Sequence, residues 1–282
     1  MIKKMHLSLL IFTIFISVLF LSCRSVSKEV LFHRDASAES LRNGQIANAL
    51  SHIDYAANAC NNLECQTQLY RWMIDYGFER KNDVYRSQGY ERLTLGLLDS
   101  YLEENAEDLF TAKIVGAEYL AWADSLRENR GDLFPLTSAL LLNASVNIYD
   151  RPDSALGFLS DVFKIGIDYG EKELPTHLRI AIGKSKALID QIYVMMNKHF
   201  ETAKEYLKSD SPEEAIDGLL YTFRVSAALN EAQIAGSASV LLAEYYDSIG
   251  EKELAARWTA IALRWKGNAS YKLNKNNELP AE

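Results

Sequence analysis

The pattern of apolar and polar residues favours helices over most of the chain. Pairs such as Trp72 and Tyr76 are spaced to share one helix face, and few stretches alternate apolar with polar residues over strand length. We therefore predict an all-α fold of about twelve short-linked helices. They cover residues 36–42, 45–60, 64–79, 83–103, 106–128, 135–148, 152–168, 175–190, 192–208, 212–228, 231–248 and 251–266.

A spacing of small residues recurs within this pattern. A glycine is followed by alanines at the fifth and twelfth positions in Gly44, Ala49 and Ala56, and again in Gly250, Ala255 and Ala262. Glycine readily adopts the left-handed backbone of a turn between two helices, and a small side chain lets the second helix approach the first. The spacing predicts helical hairpins. Weaker copies are Asp150, Ala155 and Val162, and Asp210, Ala215 and Thr222.

The last unit resembles the tetratricopeptide repeat, a pair of helices that stacks on its neighbours. The residues that match the family's preferred types are Leu242, Ala243, Tyr246, Gly250, Ala255 and Ala262. The resemblance implies one helical-hairpin repeat solenoid over residues 31–266, followed by a polar, flexible tail over 267–282. It also implies a groove lined by the first helix of each pair. The residues that this carries over are Asn147, Asn197, Phe200, Lys204 and Glu244.

The N-terminus has the order of a secretory signal. Lys3 and Lys4 precede an apolar run that ends at Leu21, too short to span a bilayer as a helix. The residues "FLSC" resemble the lipobox of bacterial lipoproteins, and "RPDSALGFL" and "LAEYYDSIGEKELA" resemble phrases of tetratricopeptide lipoproteins of the Bacteroidetes. The resemblance implies a signal peptide over 1–22, acylation of Cys23, a tether over 23–30 and attachment to the outer membrane, on either its periplasmic or its surface face.

Two further cysteines, Cys60 and Cys65, flank a turn that contains Asn61 and Asn62. Disulfides form in an exported compartment, and the turn could bring the two thiols together. The sequence leaves two alternatives open, a disulfide or two separate thiols.

Composition and motifs narrow the range of functions. The net charge of −8 argues against a protein that binds nucleic acid, because such binding depends on clustered Lys and Arg. The histidines after the signal are His33, His52, His177 and His199, and they form no two-histidine metal motif. No nucleophile elbow or phosphate-binding loop occurs. We therefore expect neither an enzyme nor a cofactor or metal.

The expected function is that of a lipid-anchored envelope scaffold that binds another protein or a peptide in its groove. The alternative is a periplasmic sensor or transport accessory protein that binds a small molecule in the concave face. A small-molecule ligand would stabilise the chain against heat without any protein partner, and this difference separates the two hypotheses.

The lipid anchor gives a first prediction. Replacing Cys23 with alanine removes the residue to be acylated, so the protein should move from the membrane fraction to the soluble fraction of its own cells, because stable attachment requires the acyl chains. Fractionation and immunoblotting measure the change. Unchanged membrane retention would count against lipidation at this residue.

Overall fold

A computed structural model describes residues 27–103, 105–170, 174–209 and 211–276. These residues are almost entirely helical, with no β-strand among them, and the prediction of an all-α fold is confirmed. Eleven α-helices lie in the described part of the chain: α1 Lys28–Arg42, α2 Ile46–Asn58, α3 Leu63–Glu79, α4 Asp83–Leu102, α5 Ala106–Arg130, α6 Phe134–Asn147, α7 Pro152–Tyr169, α8 Thr176–Tyr206, α9 Ala215–Ala228, α10 Ala232–Ser248 and α11 Lys252–Asn276. A 3₁₀ turn over Pro212–Glu214 precedes α9.

The chain divides into two compact units, Met1–Tyr119 and Leu120–Glu282. In the first unit α1 packs on α2 and α3 on α4, with a smaller contact between α2 and α3. In the second unit each helix from α6 to α11 packs on the next one in sequence, and α6 also touches α8 while α7 touches α9. Since most connections are only a few residues long, consecutive partners form helical hairpins.

Four of these hairpins turn in the same way. The turn residues Gly44, Lys81, Asn230 and Gly250 all have positive φ, between 54° and 84°. In each turn, the amide of the turn residue donates to the carbonyl three residues back, and the next amide donates to the carbonyl five residues earlier than itself. This is the Schellman arrangement, which satisfies the last carbonyls of the first helix. The two glycine turns were predicted from the sequence, and the other two were not.

The two weaker copies of the spacing behave differently. Asp150 is not among the described residues with positive φ, and the amide of Arg151 donates to the carbonyl of Asn147 in a helix-like bond of 2.9 Å. Asp210 lies outside the described residues. The turn before α7 therefore does not use the left-handed geometry expected from the aspartate.

The small residues after the turns lie at helix contacts, as the spacing predicted. Ala49, Ala56, Ala155 and Ala215 are fully buried, as are Val162 and Thr222 at the corresponding second positions. Ala255 and Ala262 are 7% and 8% exposed. The side chains that were expected to permit close approach of the helices therefore all face the interior.

The α3–α4 hairpin achieves the same closeness by another route. Five residues after its turn stands Arg86, whose side chain is large, but a Cβ built on Gly77 of α3 would lie 2.9 Å from the Arg86 amide nitrogen and 3.0 Å from its Cα. The glycine in the first helix thus makes room for the backbone of the second.

The predicted helix boundaries differ most from the structure in three places. The helices expected over 175–190 and 192–208 are one continuous helix, α8, because the segment after Gly183 contains neither glycine nor proline and keeps burying residues such as Ile192 and Met196. Helix α1, expected over 36–42, begins at Lys28, where the Ser27 hydroxyl accepts a 3.2 Å bond from the Val30 amide. The last helix extends to Asn276, beyond the predicted end at 266.

A buried tyrosine ties distant helices together in each unit. In the first unit, the Tyr85 hydroxyl of α4 donates to Ser37 Oγ of α1 at 2.7 Å, and Ser37 donates to the Ala49 carbonyl of α2, also at 2.7 Å. In the second unit, the Tyr221 hydroxyl of α9 donates at 2.8 Å to the carbonyl of Ile148, just after α6. Each tyrosine hydroxyl thus reaches a part of the chain that is not adjacent in sequence to its own helix, and each bond satisfies a buried polar group.

The glycine at the α3–α4 crossing gives a second prediction. Gly77→Ala should destabilise the protein by about 1–2 kcal/mol, because overpacking against backbone outweighs the ~1 kcal/mol that alanine gains over glycine in a helix. Gly96→Ala, in α4, is the matched control. Its Cβ would meet only Leu63 Cδ1, at 3.9 Å, so it should stabilise the protein by about 0.5–1 kcal/mol. Urea unfolding followed by circular dichroism measures both, and stabilisation by Gly77→Ala would show that the crossing has room to spare.

The buried tyrosines give a third prediction. Burial raises the pKa of Tyr85 and of Tyr221 above the usual value of about 10. Above about pH 10 the unfolded chain therefore loses phenol protons that the folded chain keeps, so stability is complete below that pH and falls as the pH rises. Tyr221→Phe should cost about 1–3 kcal/mol at neutral pH, since it leaves the Ile148 carbonyl without this donor, and should flatten the alkaline loss.

The measurement is urea unfolding at about pH 7 and about pH 11, on either side of the usual tyrosine pKa. The control is Tyr169→Phe, at a tyrosine that is 48% exposed. An alkaline loss of the same size in Tyr221→Phe and in the unmodified chain would contradict a contribution from Tyr221.

Candidate binding groove

A groove of about 1230 Å³ lies in the second unit. It is bordered by the C-terminal part of α8, by α10 and by α11. Two of these helices form the last described hairpin, so the position of the groove depends on the turn at Gly250.

Helix α10 presents a stripe of exposed side chains to the groove. These residues are spaced four, three and four positions apart, so they share one helix face: Gln233, Ser237, Val240 and Glu244. The other face of α10, with Ala235 and Leu242, is fully buried. The helix therefore holds the stripe in place through its core contacts.

Helix α11 forms a second side of the groove. Ala255 and Ala262, the small residues of the hairpin crossing, border the groove as well as the core. Beside them lie Ala256, Thr259 and Leu263, the last of which is 65% exposed. Apart from this leucine, the side chains named here are small, and the groove owes its width to them.

The end of α8 contributes an aromatic ring and a cation. The ammonium of Lys204 lies 4.9 Å from the centre of the Phe200 ring and 2.6 Å from a carboxylate oxygen of Glu201. Both contacts hold the lysine at the groove, through cation–π attraction and an exposed ion pair. An apolar surface and a positive charge thus stand side by side.

Charges of both signs surround the groove. Lys252 forms an ion pair of 2.7 Å with Asp247, and Lys266 lies among the lining residues. Glu244 is exposed and has no ion pair with another described residue. A ligand that extends along the groove would meet the ammonium group of Lys204 and the carboxylate of Glu244.

His199 precedes Phe200 in the chain but packs against the core. Its ring centre lies 4.5 Å from that of Tyr221, and burial, followed by the nearby charge of Lys198, lowers the pKa of the imidazole. The ring is therefore neutral at physiological pH and adds no charge beside the groove.

The arrangement is suited to recognition by surface contact. Its exposed apolar side chains can cover apolar groups, and its charged rim can orient a ligand. Within the described residues, no group of three or more His, Cys, Asp or Glu side chains could hold a metal ion. None of the helices in this part of the chain is both long and apolar enough to cross a membrane.

The structure brings together three of the five groove residues that the resemblance implied. Phe200, Lys204 and Glu244 line the groove, whereas Asn197 is exposed on α8 but lies outside the lining. Asn147 is buried at the end of α6, and its amide donates at 2.8 Å to the carbonyl of Asn143. Since the side-chain amide is satisfied within its own helix, Asn147 belongs to the core and not to the groove.

Two of the three cysteines lie in the described part of the chain. Cys60 and Cys65 form a disulfide across the α2–α3 connection, with their Cα atoms 5.5 Å apart. The Asn62 side chain caps α3 by accepting a 2.9 Å bond from the Cys65 amide. Cys23, the expected lipidation site, and the predicted signal over 1–22 lie outside the described residues.

Sequence reasoning missed two features. It placed the groove on the first helix of each pair, whereas α11, a second helix, supplies one side. The spacing of Ala255 and Ala262 marked the hairpin crossing but did not indicate that these residues also border a groove. Sequence reasoning also found no two-histidine motif, whereas His33 and His52 meet across the α1–α2 hairpin. Only the register of the hairpin could have revealed that pair.

Comparisons of the chain with protein-family models, with curated proteins and with solved structures found no match.

Proposed function

We propose that the chain is a lipid-anchored, tetratricopeptide-like scaffold of the bacterial cell envelope that binds a protein or peptide in the groove between α8, α10 and α11. The observation that carries the proposal is the groove itself, with Phe200, Lys204 and Glu244 on its wall. The residues are held on packed helices, so the protein orders little on binding and retains more of the contact free energy.

The proposal includes a solenoid of helical hairpins. It is supported by the shared geometry of four turns and, in the second unit, by the contacts of α6 with α8 and of α7 with α9. Contacts between every second helix are expected when each hairpin buries its apolar face against the next hairpin.

The groove favours a segment with an apolar face and charges of both signs. Val240 and Leu263 are 43% and 65% exposed, and covering them would contribute apolar burial. An acidic side chain of the ligand would pair with Lys204, and a basic one with Glu244. These pairs would fix the direction of the segment more than they would raise its affinity.

A second candidate is a sensor or transport accessory protein that binds a small molecule in the same groove. The volume supports it, because about 1230 Å³ is only slightly above the range of about 300–1,000 Å³ found for small-molecule pockets. The exposed apolar side chains favour the larger, polypeptide ligand, since a small molecule would leave part of this surface in water.

The envelope location rests on the sequence alone. The order of charged, apolar and small residues before Cys23 supports export, and the likeness of "FLSC" to a lipobox supports acylation. Two or three acyl chains would hold the scaffold at the membrane, where its partner would be a protein or peptide of the envelope.

The groove gives a fourth prediction. Ser237→Trp places a large ring on the exposed stripe of α10 and should block the groove while leaving the core intact. Thr202→Trp is the matched control, since Thr202 is exposed on α8 but does not line the groove. We expect crosslinking in the protein's own cells to capture a partner with the unmodified chain and with Thr202→Trp, and at least about tenfold less with Ser237→Trp, the loss expected for about 1.4 kcal/mol.

Two further variants refine the test. Phe200→Ala and Lys204→Glu should each weaken capture, because they remove the ring or reverse the charge beside it. Equal capture by Ser237→Trp and the unmodified chain would overturn binding at the groove. Thermal stabilisation by a small-molecule extract without any protein partner, lost in Ser237→Trp, would favour the second candidate.

A further inference from the structure

Two histidines meet on the α1–α2 hairpin, far from the groove in sequence. His33 lies on α1 and His52 on α2, and their Nδ1 atoms are 3.3 Å apart. The ring centres are 5.6 Å apart, so the two nitrogens face each other. Both side chains are half-buried and in reach of solvent. In the absence of other ligands, one ring donates its N–H to the other.

The distance between the two Nδ1 atoms can also be compared with the separation of two imidazole nitrogens that bind one metal ion. Imidazole nitrogens bind Zn²⁺ at about 2.0–2.1 Å, so two of them at a tetrahedral angle lie about 3.3–3.4 Å apart. Two adjacent ligands of a square-planar ion would lie closer, at about 2.9 Å. The separation of 3.3 Å therefore matches the edge of a tetrahedral site.

We propose that His33 and His52 are the protein ligands of a zinc site. Each neutral ring directs the lone pair of Nδ1 to the ion and keeps its proton on Nε2, after a small rotation of the rings. The hydrogen bond between the rings is exchanged for two metal–nitrogen bonds. Because no third His, Cys, Asp or Glu completes a group here among the described residues, two coordination positions remain for water or for a ligand from another molecule.

The surroundings of the pair suit a bound ion. The Tyr55 ring lies 5.3 Å from the His33 ring centre, and the Phe32 ring lies 5.2 Å from it on α1. These rings pack against the His33 imidazole and supply part of an apolar shell, which limits the access of solvent to the pair. A zinc ion would join α1 to α2, so its binding would stabilise this hairpin.

The test is titration of the full chain, with its disulfide formed, with zinc chloride in a calorimeter. We expect one ion per chain, and at least tenfold weaker binding in His33→Gln and in His52→Gln. His177→Gln, at another half-buried histidine, should bind zinc like the unmodified chain. Cys23 is present in every variant, so its sulfur cannot explain a difference between them.

A second readout separates binding from misfolding. Zinc should raise the temperature of unfolding of the unmodified chain and of His177→Gln but not that of the His33→Gln, His52→Gln double variant, whose helix content should be unchanged. Absence of zinc binding by the unmodified chain up to about 1 mM would overturn the site. Equal binding by the double variant would also overturn it.

Discussion

The structure depends on the close approach of two helices just after a tight turn. Where the backbone reverses at a residue with positive φ, the second helix starts directly against the end of the first. Helix axes pack about 8–10 Å apart, and the shorter separations require a small side chain at the crossing. The fully buried Ala49 and the nearly buried Ala255 meet this requirement.

Either helix of a pair can supply the small residue. At Gly44 and Gly250 the second helix does so, and the glycine of the turn and the alanine five residues later are visible in the sequence. In the α3–α4 hairpin the first helix does so, through Gly77, and Arg86 occupies the position that alanine fills elsewhere. The same packing constraint therefore has two sequence forms, and a search for one of them misses the other.

The existence of two sequence forms explains which parts of the fold could be predicted from the sequence. The all-helical structure and the positions of small residues at the hairpin crossings were predictable, because each produces a regular spacing of residues in the sequence. The turn at Lys81 was not predictable, because a residue other than glycine pays about 1–2 kcal/mol to adopt the left-handed conformation. In the structure, the two Schellman hydrogen bonds help to offset that cost. The continuity of α8 was missed although the sequence indicates it, since no glycine or proline lies between Gly183 and the end of the helix at Tyr206.

The candidate sites show the same division. Phe200, Lys204 and Glu244 could be placed on a groove from the sequence, and all three line the groove of the second unit. Asn147 could not, because an asparagine can satisfy its amide within its own helix and then enter the core. The contact of His33 with His52 depends on two helix faces at once, and a single helical period does not determine how two faces align.

The groove is a consequence of the packing constraint and not an addition to the fold. Ala255 and Ala262 let α11 approach α10, and the same lack of side-chain volume leaves space above the crossing. Larger residues at these positions would push the helices apart or fill the groove, so stability and binding change together there. The exposed Ser237, Val240 and Leu263 touch the groove without holding the crossing, because they lie on the open side of their helices. Substitutions at these exposed residues can therefore change which ligand binds, whereas helix packing restricts substitution of the alanines.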